Sequence, residues 1–328
     1  MRLTPTRPTR PFPSRDRKGA VAVFAFFLLL PLHAEIRGAA LLAHPQPAIL
    51  TWGDQLQSWP LTGAAPTTLL AHRDFGPGGC IADVNSDGLD DLLVQEHPGA
   101  SRFLWLQAPD WSPHVIESET DFTNCLPFTL AGKRGVLITH LHSQVRFYLF
   151  PNFEYKELYS IYTASQQGGL LPHDVDGDGL SDLFVGNYWM KNPGSPDVAW
   201  RIFAINLFHD TPTAARAALA LWKDRSLVWA AGADTAARIA IFDPPPDVKQ
   251  LWNEQRLAPL DQPRAILTHQ QGIFIAHAAG VALESPAAEG TWRRTTISRV
   301  PGVFQLINWR DNVIAVSPAG LHWIYPLR

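Results

Sequence analysis

The chain has 328 residues, of which 46% are hydrophobic and 17% charged, with a formal charge of −3. That much apolar content excludes a disordered chain, and so little charge excludes a coiled coil or an acidic tail. Gly and Pro together number 51, and with 12 Trp and 17 Phe they favour many short strands over helices. Two cysteines provide neither a disulfide scaffold nor a Cys-ligated zinc site.

Residues 1–34 read as a secretory signal peptide. Six basic residues (Arg2, Arg7, Arg10, Arg15, Arg17, Lys18) precede a 13-residue apolar run, Ala20 to Leu32, which ends near Ala34. The run falls short of the ~20 residues that a membrane span needs, and no later run approaches that length. This leader takes six of the 27 basic residues and one of the 30 acidic ones, which leaves 21 against 29, a charge of −8. We therefore expect a secreted or periplasmic protein, residues 35–328, with no nucleic-acid partner, no membrane span after cleavage and a monomeric state.

Two loops further along carry metal-ligand spacing. Asp83, Asn85, Asp87 and Asp91 stand at positions 1, 3, 5 and 9 of the first, with Gly88 at position 6. Asp174, Asp176, Asp178 and Asp182, with Gly179, repeat the pattern. Alternate residues of a tight loop aim their oxygens at one centre, and a hard cation of calcium size takes six to eight oxygens. The carbonyls of Leu89 and Leu180 at position 7 complete each set. An EF-hand would place a Glu at position 12, where Val94 and Val185 stand. Each loop instead runs into a short apolar stretch, DLLV or DLFV, that reads as a buried strand.

An Asp-x-Asx-x-Asp-Gly-x-x-Asp loop feeding a strand resembles the FG-GAP/VCBS repeat of integrin-type β-propellers. The continuation Phe184 to Gly194 resembles bacterial secreted members of that family. The resemblance implies a propeller with structural calcium in these two loops, and implies no reaction.

The repeat is visible without the family. The two loops begin 91 residues apart, which fits two units of about 45. Apolar runs close on a proline seven times, at Pro60, Pro109, Pro151, Pro193, Pro244, Pro286 and Pro326. Proline removes a ladder donor and so ends strands. The steps between them average about 44 residues. We expect an all-β, seven-bladed propeller, with six blades as the alternative, and blade starts near 35, 80, 125, 170, 215, 262 and 301. Outer strands are expected at Thr67–His72, His114–Glu117, Tyr155–Ile161, Ala199–Ile205, Val248–Trp252 and Trp292–Ile297. Only two residues follow Pro326, so Glu35–Ala43 is expected to supply the outer strand of blade seven and close the ring. Residues 213–222 read as a short helix or as the first strand of blade five.

The remaining blades offer short turns in place of metal loops: Leu130 to Gly135, Trp222 to Arg225 and Trp309 to Asn312. Two calcium ions are therefore expected. Cys80 and Cys125 lie one repeat apart on inner strands. We read them as two buried thiols, with a disulfide as the alternative should their Cα atoms lie within ~4.4–6.8 Å. The tryptophans, Trp52, Trp189 and Trp323 among them, are expected between blades, and His173 is expected to pack beside its metal turn. No nucleophile elbow and no His-x-x-x-His pattern is present, so no catalytic or cofactor-binding residue is assigned. The expected function is a calcium-stabilised binding module for a protein or glycan ligand. The alternative is a secreted propeller enzyme, a glycosidase or lyase, acting on carbohydrate.

Overall fold

The computed structural model describes residues 34–98, 101–122, 124–141, 144–160, 169–206, 218–231 and 237–325. The expected signal peptide thus lies outside the described residues, apart from Ala34. Seven antiparallel sheets follow one another along the chain. Blade one holds β1 (Ile36–Leu42), β2 (Ala48–Gly53), β3 (Leu56–Pro60) and β4 (Thr67–Leu70). Blade two holds β5 (Gly79–Ala82), β6 (Asp91–Gln95), β7 (Ser101–Gln107) and β8 (Ser112–Thr120). Blade three holds β9 (Cys125–Leu130), β10 (Lys133–His140), β11 (Gln144–Leu149) and β12 (Tyr155–Ser160). Blade four holds β13 (Leu170–His173), β14 (Asp182–Val185), β15 (Tyr188–Lys191) and β16 (Arg201–Ala204). Blade five holds β17 (Ala218–Trp222), β18 (Ser226–Ala231), β19 (Arg238–Asp243) and β20 (Asn253–Arg256). Blade six holds β21 (Ala265–His269), β22 (Gly272–His277), β23 (Gly280–Pro286) and β24 (Trp292–Ser298). Blade seven holds β25 (Gln305–Trp309), β26 (Asn312–Ser317) and β27 (Gly320–Tyr325). The architecture is a seven-bladed β-propeller.

The core explains the sequence pattern. A middle strand is covered on both faces, so it reads as a continuous apolar run rather than an alternating one. In β22, Ile273 and Ile275 pack toward blade five, while Phe274 and Ala276 pack toward blade seven. In β26, Val313 and Ala315 face blade six, while Ile314 and Val316 face blade one. Seven such clusters, one at each junction, carry the ring round to its start. The first expected prolines fall where β3, β7 and β11 end.

Ring closure differs from expectation. The segment expected to complete blade seven is β1, and it pairs with β2 inside blade one. Among the described residues blade seven has three strands. The ring closes instead by packing and by isolated hydrogen bonds. Ile36, Ala39 and Ile49 meet Ile307, Ile314 and Val316. The Ile36 N–H donates to the Pro318 carbonyl at 3.0 Å. The Gln305 amide accepts from the Ala39 N–H at 3.1 Å and donates to the Ala39 carbonyl at 2.6 Å. The seam is therefore apolar contact between complete inner strands, with one side chain imitating a ladder pair.

Two further expectations are corrected. The outer strand of blade five is Asn253–Arg256, not Val248–Trp252. Val248 and the buried Trp252 anchor the connection onto blade four, with the Trp252 N–H donating to the Ile205 carbonyl. The strand itself is polar and fully exposed, so it has no apolar signature. Residues 218–222 of the ambiguous stretch are β17, not helix. Cys80 and Cys125 are joined by a disulfide, with Cα atoms 5.3 Å apart. The inner strands β5 and β9 approach closely enough at this junction to meet the bridging range.

Candidate metal loops and the groove between blades one and two

Both Asp-rich loops join an inner strand to the next strand of the same blade. In loop one, between β5 and β6, the Asp83 carboxylate accepts from the N–H groups of Asp87 and Gly88. Asn85 accepts from the Asp87 N–H and donates to the Asp87 carboxylate at 2.8 Å. Asp87 in turn accepts from the Leu89 N–H at 2.8 Å. Loop two, between β13 and β14, repeats the scheme. Asp174 accepts from Gly177, Asp178 and Gly179, and Asp178 accepts from Leu180. Positions 4 and 6 both take left-handed backbone: Ser86 and Gly88 in loop one, Gly177 and Gly179 in loop two. No atom would crowd a Cβ on Gly88 or Gly179, so position 6 needs glycine for its φ, +84° and +85°, and not for space.

The position-9 aspartates act first as clamps. Asp91 is fully buried and accepts from the N–H of Val84 at 3.1 Å and of Ala108 at 2.8 Å. Asp182, equally buried, accepts from Val175 at 3.0 Å and Asn192 at 2.7 Å. Each therefore pins the loop to the end of its blade's third strand. Burial pushes both carboxyls up, that of Asp182 to about 6, and the backbone donors restrain the rise.

The two loops differ in how far their ligands converge. Asp174, Asp176 and Asp182 each place a carboxylate oxygen within 4.8 Å of the others. Asp176 Oδ1 is buried there without a hydrogen-bond partner. A buried, unpaired carboxylate oxygen among other hard oxygens fits a cation of calcium type. Asp178, the fourth carboxylate expected in loop two, is not in that set. In loop one Asn85 replaces Asp176, and among the described residues Asp83, Asp87 and Asp91 form no comparable cluster.

Three side chains that spacing did not reveal act on these loops. Lys191, at the end of β15, bonds the carboxylates of both Asp176 and Asp178, the latter at 2.6 Å. Desolvation opposes its charge, yet those two hydrogen bonds hold the ammonium above the usual lysine range. Arg134, near the start of β10 in blade three, donates to Ser86 Oγ at 2.7 Å and to the Asp83 carbonyl. Asp90 accepts from the N–H groups of Ala43 and His44, tying loop one to blade one. The turns expected to lack metal are tight hairpins, with left-handed residues at Ala131, Lys223 and Arg310. His173 stacks on Phe184 beside loop two, as expected.

A groove of about 390 Å³ opens between blades one and two. Its wall is apolar: Leu104 and Leu106 from β7 and Val115 from β8, the last 53% exposed. Its rim is charged, and several of the charges are paired. Arg37, at the start of β1, reaches Asp54 and Asp74, each at 2.7 Å. Asp74 also holds His97 Nδ1 at 3.1 Å, and Glu96 is bracketed by Arg102. Arg73, in the strap between β4 and β5, lines the same groove.

A second polar network lies between blades two and three. Arg146 meets Glu117 at 2.7 Å and lies over the Tyr155 ring, while the Tyr148 hydroxyl donates to Glu117. His140 Nε2 is 3.4 Å from Glu117. Burial, reinforced by Arg146, holds His140 below the ordinary histidine range, and Glu117 offsets part of that. The carboxyls that burial raises, Asp91 and Asp182, close the two Asp-rich loops and do not line the groove.

No family model matches this chain, and no curated protein matches it. Solved structures do. It superposes on the extracellular domain of a putative one-component system from B. thetaiotaomicron with a TM-score of 0.59 at 9% identity. That match covers 90% of this chain and 39% of the other, so this chain spans well under half of it. The Pseudomonas aeruginosa periplasmic gluconolactonase gives 0.53 at 14% identity, covering 88% of each chain. YCF48 bound to D1 peptide gives 0.53 at 14% identity, covering 90% and 94%. At such identities the common property is the propeller fold. No helix among the described residues is long and apolar enough to cross a membrane.

Proposed function

We propose that this chain is an exported, calcium-binding propeller that serves as a binding module for an extended protein or glycan segment. The observation that carries this reading is the groove between blades one and two. Its apolar wall rises from the buried Leu104 and Leu106 to the solvent-exposed Val115, and Asp74, His97, Glu96 and Arg102 on its rim are already fixed in pairs. Prearranged polar groups beside an exposed apolar surface suit recognition, because little ordering is left to be done on binding. Two of the similar structures are a sensor's extracellular domain and a propeller with a bound peptide, which agrees with such use. Residues 1–34 as an export leader and the FG-GAP/VCBS likeness of the loops belong to the same reading.

Calcium would be held in loop two by Asp174, Asp176 and Asp182, with Asp178 and the Leu180 carbonyl completing the set. In loop one Asp83, Asn85, Asp87, Asp91 and the Leu89 carbonyl would hold it. The ion would supply the positive charge that lets four ligand side chains share nine residues. The protein's part is to preset the loop through its own N–H donors and the two clamping aspartates.

Two measurements test the proposal on residues 34–328. Thermal melting with and without chelator should show a calcium-dependent rise, ~2.7 kcal/mol at a hundredfold excess over Kd. A metal-free preparation whose melting ignores both calcium and EGTA would end the calcium reading. A peptide and glycan binding screen should yield a ligand whose binding is lost in Val115→Glu without a change in melting. Binding that survives this substitution would move the site away from the groove.

A further inference from the structure

The clamping aspartates put the two loops in register. Asp91 accepts from the N–H of Ala108, and Asp182 from that of Asn192, at the same point of their blades. The residue just before each donor is therefore equivalent: Gln107 in blade two, Lys191 in blade four. One loop has a neutral amide beside it and the other has an ammonium.

That ammonium sits on the ligands themselves. Lys191 Nζ bonds the carboxylates at positions 3 and 5, Asp176 and Asp178. Asp176 is thereby shared. Its Oδ2 takes the lysine, its Oδ1 stays buried without a hydrogen-bond partner, and the residue still clusters with Asp174 and Asp182. Asp178, drawn to Lys191, is the carboxylate missing from the converging set. In loop one the position-5 carboxylate of Asp87 is engaged by Asn85, a neutral neighbour within the loop.

We propose that Lys191 is a tethered counter-cation of loop two, which holds the loop together without metal and must give way when a divalent ion recruits Asp178. This rests on the calcium reading given above. An ammonium and a divalent ion drawn to the same carboxylates repel each other, so they compete most directly for Asp178, while Asp176 has one oxygen to offer each. Three consequences follow from that competition. Loop two keeps its shape when stripped of metal. It binds calcium more weakly than it would with glutamine at 191. It also exchanges its ion more readily, which makes it the responsive site of the two.

The test is calorimetric calcium titration of wild type, Lys191→Gln and Lys191→Arg, with melting of each in EGTA and in saturating calcium. Lys191→Gln should tighten one of two sites by up to about fivefold, the upper end of the scale for losing one partly exposed ion pair as competitor. It should also melt lower than wild type in EGTA and no lower in saturating calcium. Lys191→Arg should behave as wild type. A wild type that binds one ion where Lys191→Gln binds two would support the inference in its strongest form. Superimposable isotherms in which both proteins bind two ions would overturn it and leave calcium binding intact. No binding by either protein would overturn the calcium reading, and this inference with it.

Discussion

Their spacing marked Asp91 and Asp182 as candidate ligands, but their clamping role was not legible. That role depends on Ala108 and Asn192, residues 17 and 10 positions further on. Lys191 and Arg134 escaped for the same reason: each reaches its loop through strand register or from the next blade. His140 offers a test at this scale. Burial and Arg146 hold its pKa below that of an unfolded histidine, near 6.5. The unfolded chain then binds the proton more readily. Neutral His140 therefore contributes stability above about pH 6.5, and that contribution is lost as pH falls toward the folded pKa. Asp182 titrates in the opposite sense near 6, so wild type alone would blur the two effects. Comparison with His140→Gln isolates the histidine. The cost of the substitution, read from urea midpoints, should shrink between pH 8 and pH 5. A cost that is constant or grows on acidification would show that His140 is not held neutral in the fold.

The elements were legible in proportion to their burial. Middle strands such as Leu227 to Ala231 and Ile273 to Ala276 lie between two blades and are apolar throughout, so the sequence exposes them. The Pro-ended third strands set the repeat because the prolines at 109 and 151 fall just past the last ladder residue. Outer strands carry the weakest signal. Asn253 to Arg256 has no apolar residue at all, whereas the non-strand Val248 to Trp252 has several. The disulfide between β5 and β9 was open in the sequence because it depends on the spacing of two inner strands. It closes a 45-residue separation, for which the loop-entropy model gives about 4 kcal/mol. The double variant Cys80→Ala/Cys125→Ala should therefore unfold at a markedly lower denaturant midpoint. Full alkylation of native protein in the absence of reductant would show that no bridge forms.

At the scale of the whole molecule the sequence pointed to the right number of blades and the wrong way of joining the last to the first. An apolar segment at the start of the domain can serve as an outer strand for the last blade or as the inner strand of its own. Composition does not distinguish the two. The structure makes Ile36–Leu42 the inner strand of blade one, so among the described residues the seam has no shared sheet. Across it lie the cluster around Ile49, Ile307 and Ile314, the Ile36 to Pro318 backbone hydrogen bond, and the paired hydrogen bonds between Gln305 and Ala39. Ala39 is 3% exposed, so removing that amide leaves both its N–H and its carbonyl with little access to water. Each unsatisfied buried group costs roughly 1–3 kcal/mol. Gln305→Ala should then lower the denaturant midpoint while leaving the m-value and the single transition unchanged, because the ring still unfolds as one unit. A broadened transition or a reduced m-value would indicate a seam that opens on its own. A midpoint equal to that of wild type would place the closure of the ring on the apolar cluster and the Ile36 to Pro318 hydrogen bond.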